Sequence, residues 1–430
     1  MCKSFLLLFF KKEGLPSLTR HATVIGAGIV GICCASYLQR AGFQVEVLDP
    51  EPPGTMCSYG NAGGICPGSC IPIAGPGMLR KLPGWLMDKE GPLHIRAAYL
   101  PALLPWLLRF LAAGRVAEVR RISRAMRALH APTFECYEPL LQDSGSSDLL
   151  ARRGQLFVYE SEDGPARESF GLGLRRDAGV KVEVLDAGAL RDLEPALAPI
   201  FRSAVFLPEQ GQCANPGRLV ANLARAVERR GGTIRRTHVR GVVMEGGKPS
   251  AVATDAGAVK VETLVIAAGA WSAPFARQLG SSVPLQTERG YHAVVTGAHT
   301  GLRTQTIWAD KAFVAAPMEE GIRFAGTVEL AGLAAPPDMR RADVLLKQGQ
   351  RMFRHAPEGS VTRWMGHRPS LPDSLPVISA SPHHKNVFFA FGHGHMGLIG
   401  GSVTGRLVSD LASGAVPIIE PAPYRVDRFH

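Results

Sequence analysis

Residues 22–49 read ATVIGAGIVGICCASYLQRAGFQVEVLD. An apolar strand runs into a glycine turn, the turn into a helix, and the helix into a second strand that ends on an acid. The glycines Gly26, Gly28 and Gly31 stand in G-x-G-x-x-G spacing. Gly26 permits the tight turn, Gly28 lets backbone approach a pyrophosphate, and Gly31 lets the helix pack close to the strand. Phosphate charge then meets the free N–H groups of the first helical turn, those of Ile29 and Val30 among them. Asp49, about 20 residues on, stands where an acid accepts from a ribose hydroxyl and where a 2′-phosphate would be repelled. The plain alternative is a glycine turn in some other α/β unit. The ordered strand, helix, strand and acid favour dinucleotide binding, without separating FAD from NAD.

Four later stretches favour a flavin. The loop CSYGNAGGICPG, residues 57–68, offers Ser58 and Asn61 as side-chain hydrogen-bonding groups. Its small residues, Ala62 and Gly63 among them, let backbone press on a flat ring system. TLVIAAGAWS, residues 263–272, is an apolar strand that ends in Ala268 and Gly269, small enough to pass close to a bound dinucleotide. NVFFAFGHGHMGLIGGSVTGRLVSDLASG, residues 386–414, reads as a strand, a turn at Gly394, and a helix starting near Met396, Gly397 and Leu398. A helix start aimed at flavin N1 and O2 stabilises the negative charge that builds there on reduction. The fourth stretch, GHRPSLPD at 366–373, sets Arg368 directly before a proline, which restricts it to extended backbone. A guanidinium held this stiffly suits a planar carboxylate. The alternative is a local ion pair with Asp373.

The chain has 430 residues, 46% hydrophobic and 20% charged, a globular composition long enough for two domains. Its formal net charge is +11, with much of the excess between Arg96 and Arg127. No nucleic-acid-binding motif accompanies it, so no nucleic-acid partner is expected. A solvated helical face is the plain reading of that segment. The competing reading is peripheral contact with an anionic membrane through Leu103, Leu104, Trp106, Leu107 and Phe110. Pro101, Pro105 and Arg109 interrupt that run, which is too short to span a bilayer. The start, MCKSFLLLFFKKEG, has a very short apolar stretch and reads as an N-terminal extension over residues 1–20. The expected location is cytoplasmic, or peripheral at the inner face of the cell membrane. The eight cysteines match no metal-binding spacing, so reduced structural thiols and no metal site are expected.

With these stretches in view, the chain resembles the glycine oxidase and D-amino-acid dehydrogenase branch of the FAD-dependent D-amino-acid oxidase superfamily. The resemblance runs from about residue 22 to 428. It rests on VIGAGIVG with VEVLD, SYGNAGGICPG, VIAAGAWS, ERGYH at 288–292, GHRPSLPDSLPVI at 366–378 and GHGHMGL at 392–398. It implies an α/β chain with a discontinuous Rossmann-type FAD-binding domain and a second, α+β substrate domain on a mixed, largely antiparallel sheet. The expected FAD-binding segments are 21–90, 205–282 and 360–430; the substrate domain takes 91–204 and 283–359. FAD is expected to be bound non-covalently. The implied reaction is oxidative deamination of a D-amino acid: hydride passes from Cα to flavin N5, and the imine hydrolyses to a 2-oxo acid. Alternatives are a glycine, sarcosine or cyclic imino-acid (proline or hydroxyproline) oxidase or dehydrogenase, or the flavin subunit of a multi-component enzyme. Arg368 is the expected carboxylate anchor. Tyr291 is read as a second hydrogen-bond donor to the carboxylate or as core, with His292 beside it. His395 is read as a cationic helper, a contact to amine or flavin, or a cap. A small-molecule amino-acid substrate is expected, and a quinone or a protein as the electron acceptor, with oxygen as the rival.

Overall fold

A computed structural model describes residues 20–78, 84, 88 and 90–429. Apart from Arg20, the expected N-terminal extension lies outside the described residues.

The strand His21–Ile25 sits inside a six-stranded sheet. In spatial order its strands are Thr233–Arg236, Gln44–Asp49, His21–Ile25, Thr263–Ile266, Val387–Phe391 and Val377–Ala380. All neighbours are parallel except the last pair. The central strands Thr263–Ile266 and Val387–Phe391 are buried on both faces and apolar at nearly every position, as a parallel sheet interior requires. Val24, Val47, Val265 and Phe388 face a helical layer. Ile25, Leu48, Ile266 and Phe389 face the other way, toward the helix Ser272–Gln278 and a three-stranded antiparallel meander over 239–260. The helical layer contains Ile29–Arg40, Pro216–Arg229 and Gly397–Ser413.

Two more helices, Val116–His130 and Thr133–Ser144, were expected with the substrate domain, but they complete this layer instead. Buried hydroxyls fix them there. Tyr137 donates to the Leu398 carbonyl at 2.6 Å, Tyr37 to that of Cys136 at 2.6 Å, and Tyr424 to that of Ala125 at 2.7 Å. Their apolar faces, Ile122, Met126, Leu129 and Leu140, bury in one cluster with the first and last helices.

A nine-stranded sheet forms the second layer system. Its main path runs Ser360–Ser370, Gln286–Thr296, Gly321–Leu330, Phe313–Met318, Gln305–Trp308, Gln155–Tyr159, Ser203–Leu207 and Glu183–Asp186, and Leu93–Ile95 joins at Gly321–Leu330. Only two of these pairings are parallel, Gln305–Trp308 with Gln155–Tyr159 and Gly321–Leu330 with Leu93–Ile95. Two expected boundaries move. The cut at 205 falls inside the strand Ser203–Leu207, and the segment from 360 opens with a strand of the nine-stranded sheet. In both cases ladder hydrogen bonds decide membership. One face of this sheet buries Ala293, Phe313, Phe324 and Trp308 with the helix Arg340–Gln350. The other face looks across a cavity at the six-stranded sheet.

Candidate active site

The cavity measures about 940 Å³ and runs from the glycine turn, past Asp49 and His238, to Arg368 and Arg175. At one end, Gly26 has φ 113°, and a Cβ there would strike the Ala267 carbonyl. A Cβ on Gly31 would strike the Gly26 carbonyl, so the helix starts hard against its own turn. Gly28 precedes the helix in extended backbone, with only Ser58 Oγ near its missing side chain, at 3.5 Å. Ser58 Oγ accepts the Ile29 N–H at 2.9 Å. This hydroxyl therefore stands beside the helix start at the glycine-turn end of the cavity. Val30 lines the same end. Asp49 Oδ2 accepts the Ala27 N–H at 2.7 Å and Oδ1 the Glu51 N–H at 2.8 Å. Burial raises its pKa, which those bonds partly offset.

The loop that follows is pinned from several sides. Asn61 Oδ1 accepts from Gly63 N at 2.8 Å, and its Nδ2 donates to the His395 carbonyl at 3.2 Å. Gly63 has φ 80°, and a Cβ there would meet the Cys213 carbonyl. The Ala62 carbonyl accepts from Gln305 Nε2 at 2.9 Å. Arg323 Nη1 donates to the carbonyls of Tyr59 and Asn61, both at 2.6 Å. Across the cavity Ala268 and Gly269 end their strand as a wall, with Gly269 at φ 54°. Gly394, at φ 56°, donates its N–H to the Pro369 carbonyl at 2.7 Å, which ties the last helix's approach to the strand carrying Arg368. Met396 caps that helix, and Gly397 and Leu398 open it onto the cavity.

Arg368 reaches over Gly290, whose missing Cβ leaves the room its guanidinium fills. Nη1 donates to the Thr327 carbonyl at 3.1 Å and Nη2 lies 3.4 Å from that of Gly326. A β-bulge supplies these carbonyls: pairing shifts between Arg289 and Tyr291, and Thr327 takes φ 51°. Burial lowers the Arg368 pKa, the carboxylate of Glu288 works against that, and the guanidinium stays charged. Glu288 itself accepts from Ser370 Oγ at 2.6 Å. The local ion pair with Asp373 does not form, because Asp373 pairs with Arg428 at 2.8 Å.

Two readings are corrected. Tyr291 does not offer its hydroxyl to the cavity. It donates to Glu329 Oε2 at 2.5 Å and accepts from Asp338 N at 3.0 Å, within the core beside Ala293 and Phe324. Successive strand residues face opposite ways, so with Gly290 turned to Arg368, Tyr291 turns away. His292 faces the cavity side, stacked on Trp364 at 5.0 Å and donating Nδ1–H to the Gly60 carbonyl at 3.2 Å. His395 opens on the cavity, but desolvation and then the nearby Arg368 cation hold its pKa down to about 4. It is neutral at pH 7, so it is no cationic helper for a carboxylate. Its neighbour His393 is buried, with Nε2 2.8 Å from Thr404 Oγ1.

The cradle fits a dinucleotide with a flat ring. Helical N–H groups, an acid and small residues line one end, and a glycine-rich loop faces a helix start at the other. Residues 21–411 match the family described as DAO, FAD dependent oxidoreductase. The chain belongs to that family. Among DAO-family relatives, a D-amino-acid oxidase of Bradyrhizobium diazoefficiens is 39% identical over 95% of this chain and 99% of its own length. A D-amino acid dehydrogenase of the same organism is 31% identical over 94% and 98%. Among solved structures, glycine oxidase from Geobacillus kaustophilus superposes with a TM-score of 0.72 at 21% identity, over 95% of this chain and 99% of that one. The L-proline dehydrogenase from P. horikoshii gives 0.73 at 17% identity, over 96% and 98%. The protein is thus an FAD-dependent oxidoreductase.

Several DAO-family cavity residues escaped the sequence reading. Trp364 and His367 precede Arg368 on one strand, and the even spacing of Trp364 from Arg368 was available as a signal. Trp271, edge-on to His367 at 5.6 Å, followed the recognised AAGA stretch. Cys57, whose Sγ donates to the His367 carbonyl at 2.8 Å, opened the recognised loop. Gln305 and Arg175 on the cavity wall, and Arg323 behind the glycine loop, carry no local motif; only the fold brings them in.

Proposed function

We propose that the enzyme dehydrogenates a D-amino acid. The observation that carries this is the Arg368 guanidinium, fixed by main-chain carbonyls at a cavity wall and linked through Pro369 and Gly394 to the helix start expected at the flavin pyrimidine. The names of the two relatives, a D-amino-acid oxidase and a D-amino acid dehydrogenase, support the handedness.

Bound FAD supplies the two-electron acceptor. Arg368 takes the substrate carboxylate through two charge-assisted hydrogen bonds, and its fixed fork turns Cα–H toward the ring. Trp364 and Trp271 wall that end and exclude water, with His292 stacked behind Trp364. His395, neutral, is a hydrogen-bond partner for the amine. Oxidation needs no side-chain nucleophile, and the imine hydrolyses after release. FAD is proposed to be held without a covalent bond. The further acceptor is proposed to be a quinone or protein reached at the cytoplasmic face of a membrane. The support for this is an exposed stripe of Leu100, Leu104 and Leu108, 45%, 52% and 61% accessible, among exposed arginines. Among the described residues no single helix is long and apolar enough to cross a bilayer.

The test is an anaerobic flavin-reduction screen over D-, L-, N-methyl and cyclic amino acids. D-amino acids should bleach the flavin bands of the purified chain. Arg368→Ala should raise the apparent KM by about 100-fold or more, two charged hydrogen bonds being lost, with flavin content unchanged. Normal KM in that variant, or bleaching only by L- or cyclic compounds, would overturn the reading.

A further inference from the structure

Arg175 sits on the short helix Ser169–Asp177 and lines the same cavity as Arg368. Its Cζ lies 4.8 Å from the centre of the Phe157 ring. Among the described residues no carboxylate lies within salt-bridge distance and no acceptor takes its N–H groups. The groups around it are committed or neutral. Glu168, the carboxylate whose field reaches it, accepts the Tyr159 hydroxyl at 3.0 Å. Gln155 donates to Gln305 at 2.6 Å, and Gln305 to the Ala62 carbonyl. Burial pushes the Cys66 thiol up to about 12, and raises that of Cys70, so neither is a thiolate. A sheltered cation without a counter-ion is costly, and folded chains seldom keep one without a use. Burial pulls its pKa down, but a guanidinium stays protonated.

Its position relative to Arg368 follows from the sheet. Arg368 rests on carbonyls of the strand Gly321–Leu330, and Arg175 rests on Phe157 of the strand Gln155–Tyr159. Three strand spacings separate those two supports, about 14 Å across a flat sheet. Two guanidinium–carboxylate contacts occupy roughly 8 Å of that. About 6 Å is left, close to the distance between the two carboxyl carbons of an extended five- or six-carbon dicarboxylate.

We propose that Arg175 receives a second carboxylate, so that the preferred substrate is an acidic D-amino acid of about glutamate length. This rests on Arg368 holding the α-carboxylate. Neutral side chains still fit but leave the second guanidinium unpaired, and basic ones meet a like charge.

The experiment compares D-glutamate with D-glutamine, alike in shape and different in charge, by anaerobic flavin reduction of the holoenzyme and of Arg175→Gln and Arg175→Lys. D-glutamate should exceed D-glutamine in wild-type kcat/KM by about 10- to 100-fold, the range for a hydrogen bond between charged groups. Arg175→Gln should erase that preference while D-glutamine turns over within threefold of wild type, and Arg175→Lys should keep part of it. Equal kcat/KM for the two substrates in the wild type, or an equal loss on both in Arg175→Gln, overturns the proposal. Flavin that no amino acid reduces in any of the three proteins refutes the amino-acid reading itself, a different result.

Discussion

Gly290 lacks a side chain at the spot where the Arg368 guanidinium lies. A single methyl group there would push the fork off the Gly326 and Thr327 carbonyls without touching the flavin cradle. Gly290→Ala should therefore raise KM about tenfold or more, as expected when a charged contact is misplaced, with kcat less affected and FAD content normal. Unchanged KM by steady-state assay would show that Arg368 has slack. The same neighbourhood sets the limit of reading side chains from sequence. Arg368 was legible because a proline after an arginine is a local signal. Tyr291 was not, since its role depends on which face of a strand it takes, and Gly290 beside it settles that only once Arg368 is seen to occupy the gap. Arg175 was silent, because no nearby residue announces what a helix 190 residues away from the Arg-Pro turn in sequence, roughly, will face.

Elements were more legible than their partners. The helix Pro216–Arg229 and the strand–turn–helix at 21–40 carry their period and their caps in sequence; Asn215 Oδ1, for instance, accepts the Arg218 N–H at 2.9 Å. The helices over 116–144 were equally plain as helices, but an apolar stripe does not name the surface it covers, and they went to the flavin-side layer. Their neighbour, Leu100–Ala113, divides its apolar residues between two directions. Leu103 and Trp106 are buried, with Trp106 stacked on Phe110 at 5.0 Å, while Leu100, Leu104 and Leu108 recur every fourth residue toward solvent. Arg109, Arg115, Arg120 and Arg124 are exposed nearby. That combination suits an anionic bilayer surface. The holoenzyme should float with phosphatidylglycerol vesicles and not with neutral phosphatidylcholine ones, and the double change Leu104→Glu, Leu108→Glu should cut the floated fraction about tenfold. No flotation with either vesicle, or flotation indifferent to the leucines, would remove the membrane from the account.

Across the whole molecule, three buried imidazoles bind the two layer systems to pH. His130 donates Nδ1–H to the Ser69 carbonyl at 2.7 Å, His292 supports the glycine loop, and His393 meets Thr404. Burial holds their pKa values to about 4, 3 and 3. Unfolded, each titrates near 6.5. A depressed folded pKa contributes stability that is present above 6.5 and lost as pH falls toward 4, at up to about 1.4 kcal/mol per group per pH unit. The thermal midpoint should therefore fall steadily from pH 6.5 to 4.5 in scanning calorimetry; a flat midpoint over that window would mean the imidazoles are not held neutral. The two-sheet plan itself was readable, because one half rests on local motifs and the other on runs of alternating strands. Where one sheet hands over to the other was not, since ladder pairing across hundreds of residues decides it.

That handover has a mechanical side. The chain leaves the nine-stranded sheet at Ser370 and enters the six-stranded one at Val377, and between them Asp373 is gripped by Arg428. The tail thus acts as a latch on the tether that carries the guanidinium, and a tag fused after it loads the covalent strut that joins the strand of Arg368 to the six-stranded sheet.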